Sequence, residues 1–354
     1  MRNTLKKAKT QKYKKINILI CYVLLFAYLT VLAFGCNGLS QTASDGFNIT
    51  DIFKSEAEPV DPLSEAFQII LSGLVDVDPI VRVRAVEVLA TTRQVSLMPK
   101  VQRLLSDEFT PVRFAAALAV GDLEYSPAER SVRQLLRDEN ENVRIAAAYA
   151  LTRLGFPENF EFFRNAITSN DQTVRANAAL LLGKSGDKST LKYLYWAMQH
   201  KDSDDKVVYQ SAEAIAMLGD RQIYPKLWTM LISAYADVRV MGVGSMGTLG
   251  TPEAKDALIT MLDDDVLEVR LVAAQQLGML KDTTGELEVL DVFEKNLTVR
   301  MDVIARERVN VLTALAIGRI ATPSLAKFLP KLLKSESKFV RLAAAKAVFQ
   351  CTAR

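Results

Sequence analysis

A Val-Arg pair returns about every 31 residues through most of this chain, and this period constrains the fold more than any other feature. The pairs are Val81-Arg82, Val112-Arg113, Val143-Arg144, Val174-Arg175, Val238-Arg239, Val269-Arg270 and Val340-Arg341. The steps between arginines are 31, 31, 31, 64, 31 and 71 residues, so each long step conceals a degenerate unit. Val208-Tyr209 fills the first gap and Val309-Asn310 the second, which gives about nine units. A fixed period of this size belongs to a solenoid, because one unit cannot bury its apolar face alone and must stack on its neighbours.

Each pair opens an alanine-rich apolar run, such as Ala115-Ala116-Ala117, Ala146-Ala147-Ala148 and Ala343-Ala344-Ala345. Alanine is the best helix former, and its small side chain lets helices approach closely. The other half of each unit reads as an amphipathic helix, as in 126–136, where Val132, Leu135 and Leu136 share a face. Thr251-Pro252 and Thr322-Pro323 are helix starts, and the stretches Leu182-Gly183-Lys184-Ser185-Gly186-Asp187 and Leu218-Gly219-Asp220 read as helix stops. Short acidic turns, at 138–142 and 263–265, lead into the next Val-Arg. The expectation is an all-α, right-handed solenoid of about nine helix-turn-helix units over 61–354.

The acidic turn, the Val-Arg pair, the alanine run and the Leu-Gly-Asp exit together resemble HEAT repeats, of the short type found in phycobilisome-lyase-like proteins. The resemblance covers the chain from about Asp61 onward. It implies that the repeated arginine is structural and ties successive turns together, a role that falls here on Arg82, Arg113, Arg144, Arg175, Arg239, Arg270 and Arg341. Tyr209 and Asn310 depart from the pattern, so the ladder is expected to break there. In such solenoids the second helices line the concave side. The position six residues after each Val then reads Glu87, Leu118, Tyr149, Leu180, Ala214, Gly244, Gln275, Leu315 and Lys346. Its apolar middle, Leu118, Tyr149 and Leu180, is the candidate surface for a protein or peptide partner. The alternative is that these side chains pack between neighbouring helices. Stacked layers about 10 Å apart give a surface on the order of 90 Å long.

The first 35 residues form a separate device. Arg2, Lys6, Lys7, Lys9, Lys12, Lys14 and Lys15 precede an apolar stretch from Ile16 to Gly35, the pattern of an export signal. The stretch ends Leu32-Ala33-Phe34-Gly35-Cys36, which resembles a bacterial lipobox with Cys36 as the lipidated residue. Asn37 resembles a signal for outer-membrane sorting. A stretch of about 20 apolar residues also suffices for an uncleaved transmembrane anchor. Both readings leave the basic residues in the cytoplasm and the repeats outside, so the protein is expected to be exported and membrane-anchored. Residues 36–60 read as a polar tether carrying a small apolar cluster, Phe47, Ile49, Ile52 and Phe53. The full chain has 44 basic and 41 acidic residues, and cleavage removes seven basic and no acidic ones, leaving 37 − 41 = −4. The basic character therefore belongs to the signal, and a nucleic-acid partner is not expected.

Little in the repeats points to catalysis. The single histidine, His200, stands at a helix end beside Lys201, where a solvated helix-dipole role is expected. HEAT-type iron hydroxylases need several His-Glu pairs, which this chain lacks. Cys351 has no histidine near it in sequence and reads as a packed residue. The acidic clusters at 202–205 and 263–265 read as turn and capping residues rather than cation sites, so neither a metal nor a cofactor is expected. The eighth unit carries about nine extra residues, spanning Lys295, Arg300, Asp302, Arg306, Glu307 and Arg308. Insertions in solenoids often lie on the binding face; an elongated, solvated helix is the other reading. The expected function is a non-catalytic scaffold that binds a protein or peptide. The alternative is a chromophore-lyase-like enzyme, for which no residue can be assigned a role.

Overall fold

The computed structural model describes residues 61–353. The basic and apolar stretches, Cys36, the 36–60 tether and Arg354 lie outside the described residues. Each unit pairs an outer helix with an inner one. The first eight units are α1 (Pro62–Gly73) with α2 (Pro79–Thr91), α3 (Met98–Leu104) with α4 (Thr110–Asp122), α5 (Glu129–Leu135) with α6 (Glu141–Arg153), α7 (Phe160–Asn165) with α8 (Gln172–Ser185), α9 (Leu191–Gln199) with α10 (Asp205–Met217), α11 (Tyr224–Leu231) with α12 (Ala236–Leu249), α13 (Pro252–Thr260) with α14 (Leu267–Met279), and α15 (Glu286–Glu294) with α16 (Val303–Ile320). In the ninth, the outer helix is split into α17 (Pro323–Ala326) and α18 (Leu329–Leu333) before the inner helix α19 (Lys338–Thr352). No strand occurs among the described residues.

The division of labour follows from burial. In α6 every residue from Ile145 to Leu151 is buried, and in α19 every residue from Leu342 to Val348. An inner helix enclosed on nearly all sides has to be apolar all round, which the alanine runs provide. The outer helices bury one stripe, as α5 does with Val132 and Leu135, and expose the rest.

Side-chain caps fix where the inner helices begin. Asp171 accepts from the Val174 N–H, and Ser337 from the Val340 N–H. Asp204 accepts from the Val207 N–H in the same way, and Val207 is buried while Val208 is only half-buried. The fifth unit therefore starts one residue earlier than the Val208-Tyr209 pairing implies. Its ladder position is Val208, and six residues after its Val stands Glu213 rather than Ala214.

Within the stop read over 182–187, α8 continues to Ser185 and ends at Gly186, which has φ +74°. Gly183 is instead a contact point, since a Cβ there would lie 2.8 Å from the Ala214 Cα of α10. Gly121, Gly247, Gly278 and Gly318 occupy the same place in their units, nine residues after the Val. At Gly278 a Cβ would meet the Arg319 carbonyl carbon at 2.7 Å. At Gly121, Gly183, Gly278 and Gly318 the missing side chain lets the backbone of the next inner helix come close, while at Gly247 it makes room for the Gln276 side chain. Gly219, by contrast, does follow a helix end, with φ +71° after α10.

The solenoid closes on itself. Each inner helix packs on the next, from α2 through α16 to α19, and α19 in turn packs on α1 and α2. At the seam, Leu342 of α19 reaches the space beside Gly73, and Lys338 Nζ sits 2.7 Å from Asp76 Oδ2. The nine inner helices thus form a ring, not the open surface on the order of 90 Å expected from stacking alone. The concave side of the solenoid becomes the wall of the ring's axis.

Candidate functional site

Two sets of residues recur in every unit: those in the turns from outer to inner helix, which share one rim, and those facing the axis. On the rim, Arg82 donates from Nε and Nη2 to the two carboxylate oxygens of Asp107 in the next turn, at 2.9 and 2.8 Å. Its Nη1 donates to the carbonyl of Asp76 in its own turn. Arg113 repeats this with Asp138, and Arg239 with Asp264 and Asp265. A guanidinium fork suits this geometry because it binds a carboxylate by two parallel bonds and still reaches a carbonyl. Burial alone would raise the Asp138 carboxyl, but the bonds from Arg113 and the Asn140 N–H outweigh it and hold it below the usual range. Asp264 is held down in the same way by Arg239 and the Val266 N–H.

The remaining arginines reach other partners. The counterpart of Asp107 in the fourth unit's turn is Ser169, and Arg144 donates only to the carbonyls of Asp138 and Glu139. Arg175 donates to the Ser169 carbonyl and the Ser203 hydroxyl. Arg270 pairs with Glu288 of α15 at 2.7 Å. Arg341 donates to the carbonyls of Ser335 and Glu336. Asp76, the turn that follows α19 around the ring, is taken by Lys338. Burial would raise the Asp76 carboxyl, but Lys338, the Asp78 N–H and the charge of Arg341 together lower it. A crevice of about 210 Å³ opens beside this pair, walled by Glu65, Ile69, Arg341 and Leu342.

The axial wall is identified by elimination around the helix. Position four after the Val meets the outer helix, as Gly242 meets Met230 and Leu231. Position nine meets the next inner helix, as Gly121 meets Tyr149 and Ala150. With 3.6 residues per turn, positions three, six and ten face inward. In the corrected register, position six reads Glu87, Leu118, Tyr149, Leu180, Glu213, Gly244, Gln275, Leu315 and Lys346. The apolar trio expected to form an open partner surface is not open: Tyr149 is 2% and Leu180 4% exposed, and Leu118 is half-buried. Ring closure turns these residues inward.

The sequence shows charged ends, Glu87 and Lys346, flanking the apolar middle of this row, but not that the polar groups of the wall are buried. Tyr149 donates to Asp122 at 2.8 Å, and burial, then that carboxylate, pushes its hydroxyl well above the usual tyrosine range. Lys184 meets the other Asp122 oxygen at 2.9 Å, reaching past the intervening α6. Glu213 is fully buried, with Gln210 donating to it at 2.6 Å, and burial pushes its carboxyl well above the carboxylate range. The other Glu213 oxygen, Oε1, has no hydrogen-bond partner, and neither has Gln275 Oε1. Lys346 is 2% exposed, and burial, then Arg319, with Arg84 adding to it against Glu87, brings its ammonium down to about 7. The signal was present as Glu87, Gln275 and Lys346 at one register position, but Glu213 was hidden by the one-residue error in the fifth unit.

His200 stacks on Trp196 at 4.5 Å, and its Nδ1 accepts from the Asp202 N–H. Cys351 is half-buried with its Sγ 3.9 Å from the Ile317 carbonyl oxygen. Among the described residues, no three His, Cys, Asp or Glu side chains stand where they could hold a metal together, and no helix is long and apolar enough to cross a membrane.

The HEAT-repeat family model matches residues 128–216, 160–240 and 195–278. The matched stretch, 128–278, therefore consists of HEAT repeats. No curated protein matches the sequence. Among solved structures, the complex of CpcE and CpcF of phycocyanin lyase from Nostoc sp. PCC7120 is 18% identical, with a TM-score of 0.38 over 72% of this chain and 94% of that one. Human deoxyhypusine hydroxylase in complex with glycerol is 17% identical, with a TM-score of 0.37 over 75% and 99%. An engineered protein is 16% identical, with a TM-score of 0.28 over 93% and 98%. Likenesses at this level carry no activity over to this chain.

Proposed function

We propose that this protein is a non-catalytic scaffold, exported and held at a membrane by its first 60 residues, that binds a protein partner on the rim of outer-to-inner turns. The observation that carries this reading is where most of the strongly exposed apolar side chains lie, Leu287 on the outer helix α15 being the exception at 71%. Val77 at 91%, Tyr235 at 72% and Ile232 at 68% stand in rim turns of the first and sixth units. Val303 at 77%, Ile304 at 71% and Val299 at 66% form the tip of the eighth unit. There α16 begins six residues before Val309, whereas α6 begins two residues before Val143. The four extra residues lift its start by roughly 6 Å. Arg306 holds the knob in shape by donating to the carbonyls of Thr298, Val299 and Met301. Apolar groups held in the open are usual at partner sites. The rim turns expose Glu139, Asp171, Asp205, Asp237, Asp263 and Asp265 beside Arg137, Lys201, Arg300 and Lys334, so the apolar centre is edged by charges of both signs.

The test is cross-linking and capture from native membranes, comparing wild type with a Val303→Ser, Ile304→Ser double variant. Loss of a protein partner from the variant, with its circular dichroism unchanged, supports the rim. An identical partner set in both contradicts it, and a small coloured ligand captured with no protein contradicts the scaffold reading itself. The anchor is tested separately: Cys36→Ser should move the protein out of the detergent phase if a lipid on that cysteine holds it.

A further inference from the structure

The seam leaves one ladder arginine half used. Arg82 engages its own turn through Nη1 and Asp107 of the following unit through Nε and Nη2. Arg341 keeps the first half of that pattern, with Nη1 donating to the Ser335 and Glu336 carbonyls at 2.6 and 3.1 Å. The carboxylate that would complete the second half is Asp76, but Lys338 holds both of its oxygens, at 2.8 and 2.7 Å. Among the described residues, nothing bonds Nε or Nη2 of Arg341. In the ladder this edge of the guanidinium faces the following unit, which for Arg341 is the first, and there the crevice of about 210 Å³ opens. The wall of the crevice changes character along α1. Asp76, Lys338 and Arg341 stand at the rim end. Leu342 lies beside Gly73, and Ile69 lies one turn before it. Glu65 is one turn further, about 12 Å from Gly73 along the helix.

We propose that this crevice binds a single carboxylate on a short apolar tail, either a small free acid or the end of a peptide chain. The carboxylate takes the open Nε and Nη2 edge of Arg341, in the two-bond pairing that Arg82 makes with Asp107. The charges favour one acid group and no more. At the rim end Lys338 and Arg341 oppose Asp76 alone, an excess of one positive charge that one carboxylate balances. A second acid group at the far end of the tail would meet Glu65. The tail runs along Ile69 and Leu342, the apolar middle of the wall. At about 210 Å³ the crevice is smaller than the roughly 300 Å³ at which sites for drug-sized ligands begin, so the tail is short. Arg341 belongs to the ninth unit and Ile69 to the first, so the ligand spans the seam and favours the closed ring. The site needs neither the apolar knob of the eighth unit nor the anchor.

Butyrate is the probe, and butyramide, of the same shape without the charge, is its control. Ligand-observed NMR titration of the full chain in detergent, at constant ionic strength, gives each affinity apart from stability. In wild type, butyrate should bind saturably and about tenfold more tightly than butyramide, the worth of one charge-assisted pair. Arg341→Gln should bring that ratio close to one. Arg144→Gln should leave it unchanged, since Arg144 also bonds only carbonyls but stands outside the crevice. Succinate should bind more weakly than butyrate, and Glu65→Gln should narrow that gap. The wild-type ratio needs no variant, and the Glu65→Gln result places the site even if Arg341→Gln does not fold. A blocked dipeptide ending in a free leucine carboxylate separates the two sources. If it displaces butyrate, the site admits a chain end; if butyrate binds and the dipeptide does not, the ligand is a free acid. Equal binding of butyrate and butyramide overturns the site, as does an unchanged ratio in folded Arg341→Gln. So does the absence of saturable binding by both butyrate and the dipeptide.

Discussion

The joint between the first and second units and the seam between the ninth and the first are built on one plan, from residues at opposite separations in the chain. In the first, Arg82 grips Asp107 with two bonds, and the two side chains are 11% and 9% exposed. At the seam, Asp76 has the same place in its turn as Asp107, six residues before the arginine, but it is gripped by Lys338, 262 residues away. That pair is 44% and 15% exposed. The difference shows that the ring has no special clasp. The ninth unit treats the first as its successor, and it does so with a point charge in place of a planar fork, nearer to water. The seam is the softest polar joint of those that carry a turn carboxylate.

The largest expected effect tests that ranking. Asp107→Ala strands a buried guanidinium and should cost about 3–5 kcal/mol in chemical denaturation. Asp76→Ala removes a half-exposed lysine pair and should cost about 1 kcal/mol or less. Equal losses would mean that the seam is as firm as the internal joint.

Helix contacts give the next comparison. Gly278→Leu would push against the backbone of Arg319 and Ile320, which cannot yield, and should cost about 3 kcal/mol. Gly73→Leu, at the seam, meets the side chains of Ala85 and Leu342 and should cost about 1 kcal/mol. A reversal of that order would place the tighter packing at the seam.

A smaller effect has the opposite sign. Lys346 is at about 7 in the fold and about 10.4 unfolded, so between those values the unfolded chain binds more protons and stability rises with pH. Lys346→Met should flatten that rise and stabilise the protein at pH 7 by about 2 kcal/mol. Denaturation midpoints measured from pH 7 to 10 check both statements.

The smallest effect lies in acid. Asp282 is held at about 2 by Lys255 and the Thr284 hydroxyl and N–H. A carboxyl lowered in the fold stabilises above its unfolded value, near 4, and the contribution fades as pH falls through about 2. Lys255→Met should therefore lower stability at neutral pH by about 1 kcal/mol or less and make the acid limb of the stability curve shallower between those two values.

The unit count and the helix pairing were legible in the sequence because each rests on local rules: alanine favours helix, and a repeated unit buries itself on its neighbour. Where the sequence misled, two residues served equally well. Val207 and Val208 are both valines, and only the Asp204 cap and the burial of Val207 set the register. The stop over 182–187 holds two glycines, and it is Gly186 that ends α8 while Gly183 lies inside it against α10. Closure was harder to read, since it depends on a small rotation per unit that no motif encodes. One trace of it was present. Asp76 is a ladder carboxylate with no ladder arginine before it in the repeats, so its partner had to come from the far end of the chain. The burial of the axial charges was hidden for a related reason: a concave surface and a closed wall use the same helix positions, so register alone does not set the burial of Glu213 and Lys346.

Zero-length carbodiimide coupling of the monomer, read by peptide mass spectrometry, tests closure most directly. Lys338 Nζ and the Asp76 carboxylate lie 2.7 Å apart, within reach of a reagent that adds no spacer. A closed ring predicts an Asp76–Lys338 amide within single chains, lost in Lys338→Ala. If that amide is missing from monomers, or is found only between two chains, the solenoid is open and the ring is contradicted.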